Sequence, residues 1–363
     1  MTTPGRVRAV GMGRVTLQTI ADRVGVSRMT VSNAFSRPDQ LSEDLRTRIL
    51  AAAADLGYVG PDPAARALAR GTSGAVGVLL SDSVPSAFTN EVATSFLGAV
   101  AEELAPTGLA LTLLTAGSAG DLVPARDVAM DGALVYSCDT ESPAAEILSR
   151  RGLPLVFVDQ EPAPGVPTVN VDDRAGARAA AQHLVDLGHR RVGVLTAGIR
   201  GQHGVLAAAS VAGQHHTERQ RILGWMDALG PAGVDVRVVR AGHGTPQDGA
   251  DAAPLLLDVA RPPTAVLCFS DALAAGFVRA ATDSGRRVPE DVSVVGFDDN
   301  PIAARMRPAL TTVRQDHRAK GHAAAAALTE AMRRARAGQG VVGRHVLLPT
   351  ELVVRESTAA PHG

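Results

Sequence analysis

Apolar and polar positions divide this chain into two regimes. Between Val15 and Tyr58 apolar residues recur at helical spacing in short, compact segments. After Ala75 short Val/Leu-rich runs alternate with Ala-rich stretches of helical period. The runs are AVGVLL (75–80), LALTLL (109–114), GALVY (132–136), LPLVFV (153–158), RVGVL (191–195), TAVLCF (264–269) and VSVVGF (292–297). Helical candidates lie near 89–104, 173–187, 217–229, 272–284 and 317–336. Strands apolar on both faces and separated by helices predict a parallel sheet covered on both sides, the α/β class. The roughly 290 residues of this region exceed what one hydrophobic core usually organises, so two lobes are expected. Such lobes bind ligands at the carboxyl ends of their strands. Between the two regimes, residues 59–74 carry Gly60, Pro61, Pro63, Gly71 and Gly74 around an Ala-Arg-Leu segment and read as a linker.

The head has a more specific pattern. In LQTIADRVGVSRMTVSNAFS (17–36), Leu17, Ile20, Ala21 and Val24 share one helical face. Gly25 follows, where a helix end needs a positive φ. Ser27 is a natural N-cap for a second helix that turns Val31, Ala34 and Phe35 inward. Small Ala21 allows a close crossing of the two. A third helix is expected from Glu43 to Leu56, between Ser42 and Gly57. This combination predicts a helix-turn-helix. Its second helix would lie in a DNA major groove. Outward-facing Arg28, Met29 and Asn33 are the candidate base readers: Arg suits guanine O6/N7, Asn suits adenine N6/N7, and Met suits a thymine methyl. Thr16, Ser27, Thr30 and Ser32 are candidate phosphate contacts that fix register.

Overall charge is uninformative at −1, but its distribution is not. Residues 1–75 hold ten Arg against six Asp or Glu, a net of +4, which leaves −5 on the remainder. A basic head on an acidic body fits a polyanion-binding module attached to something else. The two cysteines, Cys138 and Cys268, sit in apolar runs without CxxC spacing, so neither a disulfide framework nor a zinc site is expected. No uninterrupted apolar run approaches the length of a membrane span, and MTTPGRVRAVGMGR lacks the apolar core of a secretory signal. A cytoplasmic protein with no membrane partner is the expectation.

Across its whole length the chain resembles the lactose-repressor (LacI/GalR) family of bacterial transcription regulators. The resemblance rests on VTLQTIADRVGVSRMTVSNAFS, LGYVGPDPAARALARG, VDDRAGARAAAQHLVDLGHRRVGVL, PTAVLCFSDALAAGFVRAATDSGRRVPEDVSVVGFDDNP, LTTVRQD and LLPTELVVREST, in family order from 15 to 358. It implies an all-α helix-turn-helix headpiece and a two-lobed, periplasmic-binding-protein-like effector domain with Rossmann-like parallel sheets. The implied division is a disordered basic arm (1–14), headpiece (15–59), hinge helix (60–74), effector and dimerisation domain (75–358) and tail (359–363). Lobe one would comprise 75–171 plus 313–340, and lobe two 172–312 plus 341–358. The implied partners are a palindromic double-stranded operator, a small polar effector (sugar or nucleoside-like) and a second copy of the chain. At the hinge, Ala64, Ala65 and Leu68 match the positions that enter the minor groove, Leu68 as the wedge. In the body, Arg221, Asp298, Asp159, Ser81, Phe88 and Ser270 match effector-pocket positions.

Departures from the family pattern are also visible. Gly60 is an extra residue before the hinge, Asn33 stands where well-known members carry arginine, and Ser270 replaces a common asparagine. Ala69 occupies a position often basic, and the stretch after LTLLTAG is short. Operator sequence and ligand therefore do not transfer. Competing functions lack support in the residues. There is no GxxxxGK[ST], HExxH or GxSxG, and adjacent His215 and His216 are poorly placed to share a metal. Neither enzyme, cofactor nor metal is expected. A cytoplasmic or exported sugar-binding protein without a DNA role would explain the body but not the head. Segment 198–216 is a long Gly/Ala-rich stretch with no evident chemistry, and the C-terminal TAAPHG carries no heptads.

Overall fold

A computed structural model describes residues 15–80, 84–117, 122–137, 142–197, 203–206, 213 and 215–362. The arm expected over 1–14 lies outside them, as does Cys138. The chain separates into two compact units, 1–73 and 74–363.

In the first unit, α1 (Leu17–Val24) opens with a capping box. Thr16 Oγ1 accepts from the Thr19 backbone N–H at 3.3 Å, and Thr19 Oγ1 accepts from the Thr16 N–H at 3.2 Å. Gly25 ends the helix at φ +76°, a conformation other residues adopt only with strain. Ser27 caps α2 (Arg28–Ser36), its Oγ accepting from the Thr30 N–H at 3.0 Å. Ser42 caps α3 (Glu43–Asp55). The three helices bury Ile20, Ala21, Val31, Ala34, Ile49 and Ala53 in one small core, and Phe35 meets Tyr58 edge-on at its border. The linker forms a further helix, α4 (Pro63–Arg70).

The second unit contains two sheets. Into the first run β1 (Ala75–Leu80), α5 (Val84–Thr89), α6 (Glu91–Leu104), β2 (Ala110–Thr115), α7 (Pro124–Asp127), β3 (Ala133–Tyr136), α8 (Pro143–Arg150), β4 (Leu155–Val158) and β5 (Thr168–Val171). The chain then crosses to the second sheet with α9 (Asp173–Asp186), β6 (Arg191–Ala197), β7 (Gly204–Val205), α10 (His216–Leu229), β8 (Asp235–Ala241), α11 (Pro246–Leu257), β9 (Ala265–Cys268), α12 (Asp271–Asp283), β10 (Ser293–Asp298), α13 (Pro301–Arg305) and β11 (Thr311–Gln315). It returns through α14 (His317–Arg336) to β12 (His345–Leu348), and ends in β13 (Thr350–Val353) on the second sheet. The orders are β12-β5-β4-β3-β1-β2 and β13-β11-β10-β9-β6-β8-β7. All pairings are parallel except those of the edge strands β13 and β7.

This topology corrects the lobe division expected from the sequence. Residues 345–348 extend the first sheet by pairing with β5, and β11 through Gln315 belongs to the second. HVLLPTELV reads as one run, but Pro349 lacks the N–H a continuous strand would need, and the chain changes sheet there. Part of the 198–216 stretch is ordinary sheet edge, Gly204–Val205 pairing with β8. Close packing of α11 on α12 requires Gly276, where a Cβ would lie 1.7 Å from the Pro246 carbonyl oxygen.

Candidate functional site

Two surfaces carry chemistry, one in each unit. On the head, α2 turns Val31 and Ala34 into the core and so presents Arg28 and Met29 outward. Met29 is 69% exposed. Asn33 is half-buried, its Nδ2 donating to Gln40 Oε1 at 3.2 Å. Of the four hydroxyls singled out for phosphate contact, Thr16 and Ser27 serve as helix caps, and Thr30 Oγ1 lies 2.8 Å from Ser27 Oγ. Ser32 is half-buried. On α4, Ala65 is exposed and Leu68 is 87% exposed. Ala64 lies on the same helix.

In the body, the carboxyl ends of strands from both sheets converge on a cleft of about 1060 Å³, counted out to its open mouth. Ser137, Asp159 and Asp298 follow or end β3, β4 and β10 and line it. All three have positive φ (51°, 55° and 114°), and such strain in non-glycine residues concentrates at functional sites. Each sheet thus turns a backbone-strained polar residue toward the space between them.

The floor is a buried network of charges. Arg221 on α10 donates from Nε to Asp173 Oδ1 at 2.8 Å and from Nη1 to the Phe269 carbonyl oxygen. Its Nη2 stands 3.7 Å from Asp298 Oδ1, and its guanidinium lies over the Phe297 ring at 3.6 Å. Gln315 Nε2 donates to Asp298 Oδ1 at 2.7 Å. Lys320, one turn into α14, donates to Asp159 Oδ2 at 2.6 Å and to Gln315 Oε1 at 3.2 Å. The network therefore runs from one sheet to the other through Gln315. Burial raises the Asp298 carboxyl to about 6, against the opposing pull of Arg221. Burial likewise raises Asp173. It lowers His215, and it lowers His317 to about 3 with help from the Lys320 and Arg221 charges. Asp159 Oδ1, Thr217 Oγ1 and both His317 ring nitrogens are buried without a hydrogen-bond partner among the described residues. Buried polar atoms in that condition are costly unless something else supplies the bond.

Of the sequence-predicted pocket residues, Arg221, Asp298, Asp159 and Ser270 come together at this cleft. Ser270 also caps α12, its Oγ accepting from the Leu273 N–H at 3.2 Å. Phe88 is 67% exposed on α5 and is absent from the cleft lining. Ser81 lies outside the described residues. Sequence reasoning missed Lys320, Gln315, Asp173 and His317. Asp173 had a signal: in VDDRAG only one aspartate can cap the helix, and Asp172 does so, leaving the second to turn inward. Lys320 had none, because a lysine on a helix is ordinarily solvated. Among the described residues, no His, Cys, Asp or Glu cluster could hold a metal, and no helix is long and apolar enough to cross a membrane.

A helix-turn-helix head followed by a two-lobed α/β body with a polar interlobe cleft defines a transcription regulator of the DNA-binding, effector-controlled class. The model of bacterial regulatory proteins of the lacI family matches residues 16–60, and that of the periplasmic binding protein-like domain matches 181–358. An HTH-type transcriptional regulator of Mycobacterium tuberculosis is 38% identical over 96% of this chain and 98% of its own length. The lac repressor dimer bound to operator and the anti-inducer ONPF superposes with a TM-score of 0.74 at 27% identity, over 95% of this chain and 99% of that one. The transcriptional regulator CelR in complex with cellobiose does so with a TM-score of 0.66 at 28% identity, over 95% and 100%. The chain belongs to the lacI family.

Proposed function

We propose that this regulator acts in the cytoplasm as a homodimeric repressor of a palindromic operator, its affinity set by a small polar metabolite held between the lobes. One observation carries the reading. A short helix, capped at its N-terminus by Ser27, presents Arg28 and Met29 to the outside, with its inward face spent on the core of the head. Arg28, Met29 and Asn33 read bases, and Thr16, Ser27, Thr30 and Ser32 contact phosphates. Leu68, beside Ala64 and Ala65, wedges into the minor groove, where an exposed leucine finds apolar surface between base steps. Two-fold symmetry sets the half-sites about one helical turn apart. In the cleft, Arg221 and Lys320 offer donors, while Asp298 and Asp159 offer acceptors, with Ser270 at the wall; Phe88 and Ser81 are further effector contacts on the family resemblance alone. That alternation suits a polyhydroxylated ligand, whose hydroxyls both donate and accept. No catalytic step or cofactor is assigned. The CelR complex with cellobiose and the lac repressor complex with operator support both halves of the reading.

The test is footprinting and binding titration of Arg28→Ala against wild type. The variant should lose about 1–3 kcal/mol per contact and relax base preference at one symmetric pair of positions. Unchanged discrimination would remove Arg28 from the reading set.

A further inference from the structure

The cleft floor holds two cations, Arg221 and Lys320, and three carboxylates, Asp159, Asp173 and Asp298. All five side chains are nearly inaccessible. Lys320 Nζ lies 2.6 Å from Asp159, and Arg221 lies 2.8 Å from Asp173 and 3.7 Å from Asp298. Behind them Arg240 is matched by Glu218 at 3.1 Å. Every one of these cations is thus already neutralised, and the count leaves a carboxylate in excess.

Among the described residues that line the cleft, an incoming phosphate or carboxylate would find no lysine or arginine without an acidic partner. It would also stand near several buried negative charges, where the low dielectric strengthens repulsion. A neutral hydroxyl meets no such barrier. It can donate to Asp159 Oδ1, which has no partner among the described residues, and accept from an N–H of Arg221 or the remaining proton of Lys320. Lys320 does not act as an anion hook here, because Asp159 faces it across a hydrogen bond.

We propose that the Lys320–Asp159 pair is a charge filter: the cleft accepts hydroxylated ligands that carry no anionic group and rejects their phosphorylated or carboxylated forms. This rests on the cleft being the effector site, as proposed above. The pair sets specificity by cancelling a lysine charge that would otherwise favour anions. Replacing only the acid should therefore reverse the preference.

The experiment is a thermal-shift and calorimetric titration of the full chain with ribose, glucose, cellobiose, mannitol and adenosine. Each is compared with an anionic counterpart such as ribose 5-phosphate, glucose 6-phosphate, gluconate or AMP. Binding of a neutral member with its anionic counterpart weaker by about tenfold or more supports the filter. A counterpart that binds as tightly or more tightly overturns it while leaving the cleft reading intact. A panel with no binder, in protein that still binds DNA, overturns the cleft reading and the filter with it. Asp159→Asn, checked for folding by its circular dichroism, should shift the ratio toward the anionic member of a pair. A ratio equal to wild type would show that the pair does not set specificity.

Discussion

His216 Nδ1 lies 2.9 Å from Glu161 Oε2, and the same ring's Nε2 lies 3.3 Å from Asn170 Nδ2. Glu161 follows β4 and Asn170 lies on β5, both of the first sheet, whereas His216 begins α10 against the second. One imidazole therefore bridges the lobes just outside the cleft floor, with Arg219 Nη2 adding a looser contact to Glu161 at 3.5 Å.

Removing this bridge should weaken the present lobe arrangement without touching the cleft chemistry. Glu161 is 59% exposed, so the contact is screened and contributes about 1 kcal/mol or less. Glu161→Ala should lower effector affinity by no more than about fivefold. Operator affinity without effector should stay at the wild-type value. Calorimetry for the effector and fluorescence anisotropy for the operator measure the two separately. An unchanged effector affinity would mean that the bridge does not support the ligand-binding arrangement.

In the head, the turn between α1 and α2 depends on Gly25 at φ +76°. A Cβ there would meet nothing within 4 Å, so crowding is not the issue; the backbone conformation is. Gly25→Ala should cost about 1–2 kcal/mol of head stability, the usual penalty for an L-residue in the left-handed region. Because the head and body are separate compact units, a two-transition melt should show the head transition lowered and the body transition unmoved.

Leu68 offers a test of the hinge that is independent of base reading. At 87% exposure it contributes little to folding, so Leu68→Ala should leave melting unchanged. If the side chain enters the minor groove it becomes buried on binding, and its loss should weaken operator affinity by about 2 kcal/mol per protomer. It should also reduce DNA bending measured by gel mobility. A variant that bends and binds like wild type would place Leu68 outside the interface.

What the sequence disclosed and what it hid follow from burial. The head was legible almost to the residue, because caps, turn glycine and core spacing are all local. The seven apolar runs became strands because each keeps a nearly continuous apolar stretch, as in β1 and β9, with the polar residues of β6 and β10 confined to or near strand ends. Strand β8 was missed because Arg237 and Arg240 interrupt DVRVVRA; Arg240 is nonetheless buried, held by Glu218. Helix α11 was obscured by Pro254 within it. Asn170 on β5 and Lys320 on α14 look like surface residues because a polar side chain gives no local sign of burial; Asn170 is held by the Gln160 backbone across a loop, and Lys320 by the carboxylate of Asp159. Lys320 meets Asp159 across 161 positions, and no local pattern encodes such a pair.

His317 gives the body a predictable acid response. Its ordinary value of 6.5 falls to about 3 in the folded protein, because burial and the charges of Lys320 and Arg221 disfavour its protonated form. The unfolded chain therefore takes up a proton below about 6.5 that the folded one refuses. The stability contributed by keeping this ring neutral is full above 6.5 and is lost as pH falls from there toward 3. Asp298, raised to about 6 from 3.8, has the opposite sign: it contributes stability as pH falls through that window. His317→Phe removes only the first effect. Between pH 6.5 and 4 its stability relative to wild type should rise by about 1 kcal/mol per pH unit, read from urea unfolding. Parallel curves would mean that the ring is not held neutral.

Arg221 shows why the choice of variant matters in testing the cleft. Truncating it to alanine would leave Asp173, with 1% of its side chain exposed, and Asp298 buried without their cation. Breaking a buried pair in this way typically costs about 3–5 kcal/mol, enough to confuse a lost effector response with a damaged fold. Arg221→Lys keeps the positive charge but not the planar fork that spans Asp173, the Phe269 carbonyl and Asp298 together. It should retain operator binding and lose most of the effector response, a separation that a general loss of folding cannot produce. Asp298→Asn makes the complementary change, preserving size while removing the carboxylate that faces the guanidinium. It should likewise bind operator and respond weakly to effector. If both conservative variants respond as wild type does, in anisotropy titrations at fixed operator concentration, Arg221 and Asp298 do not contact the effector and their network is structural.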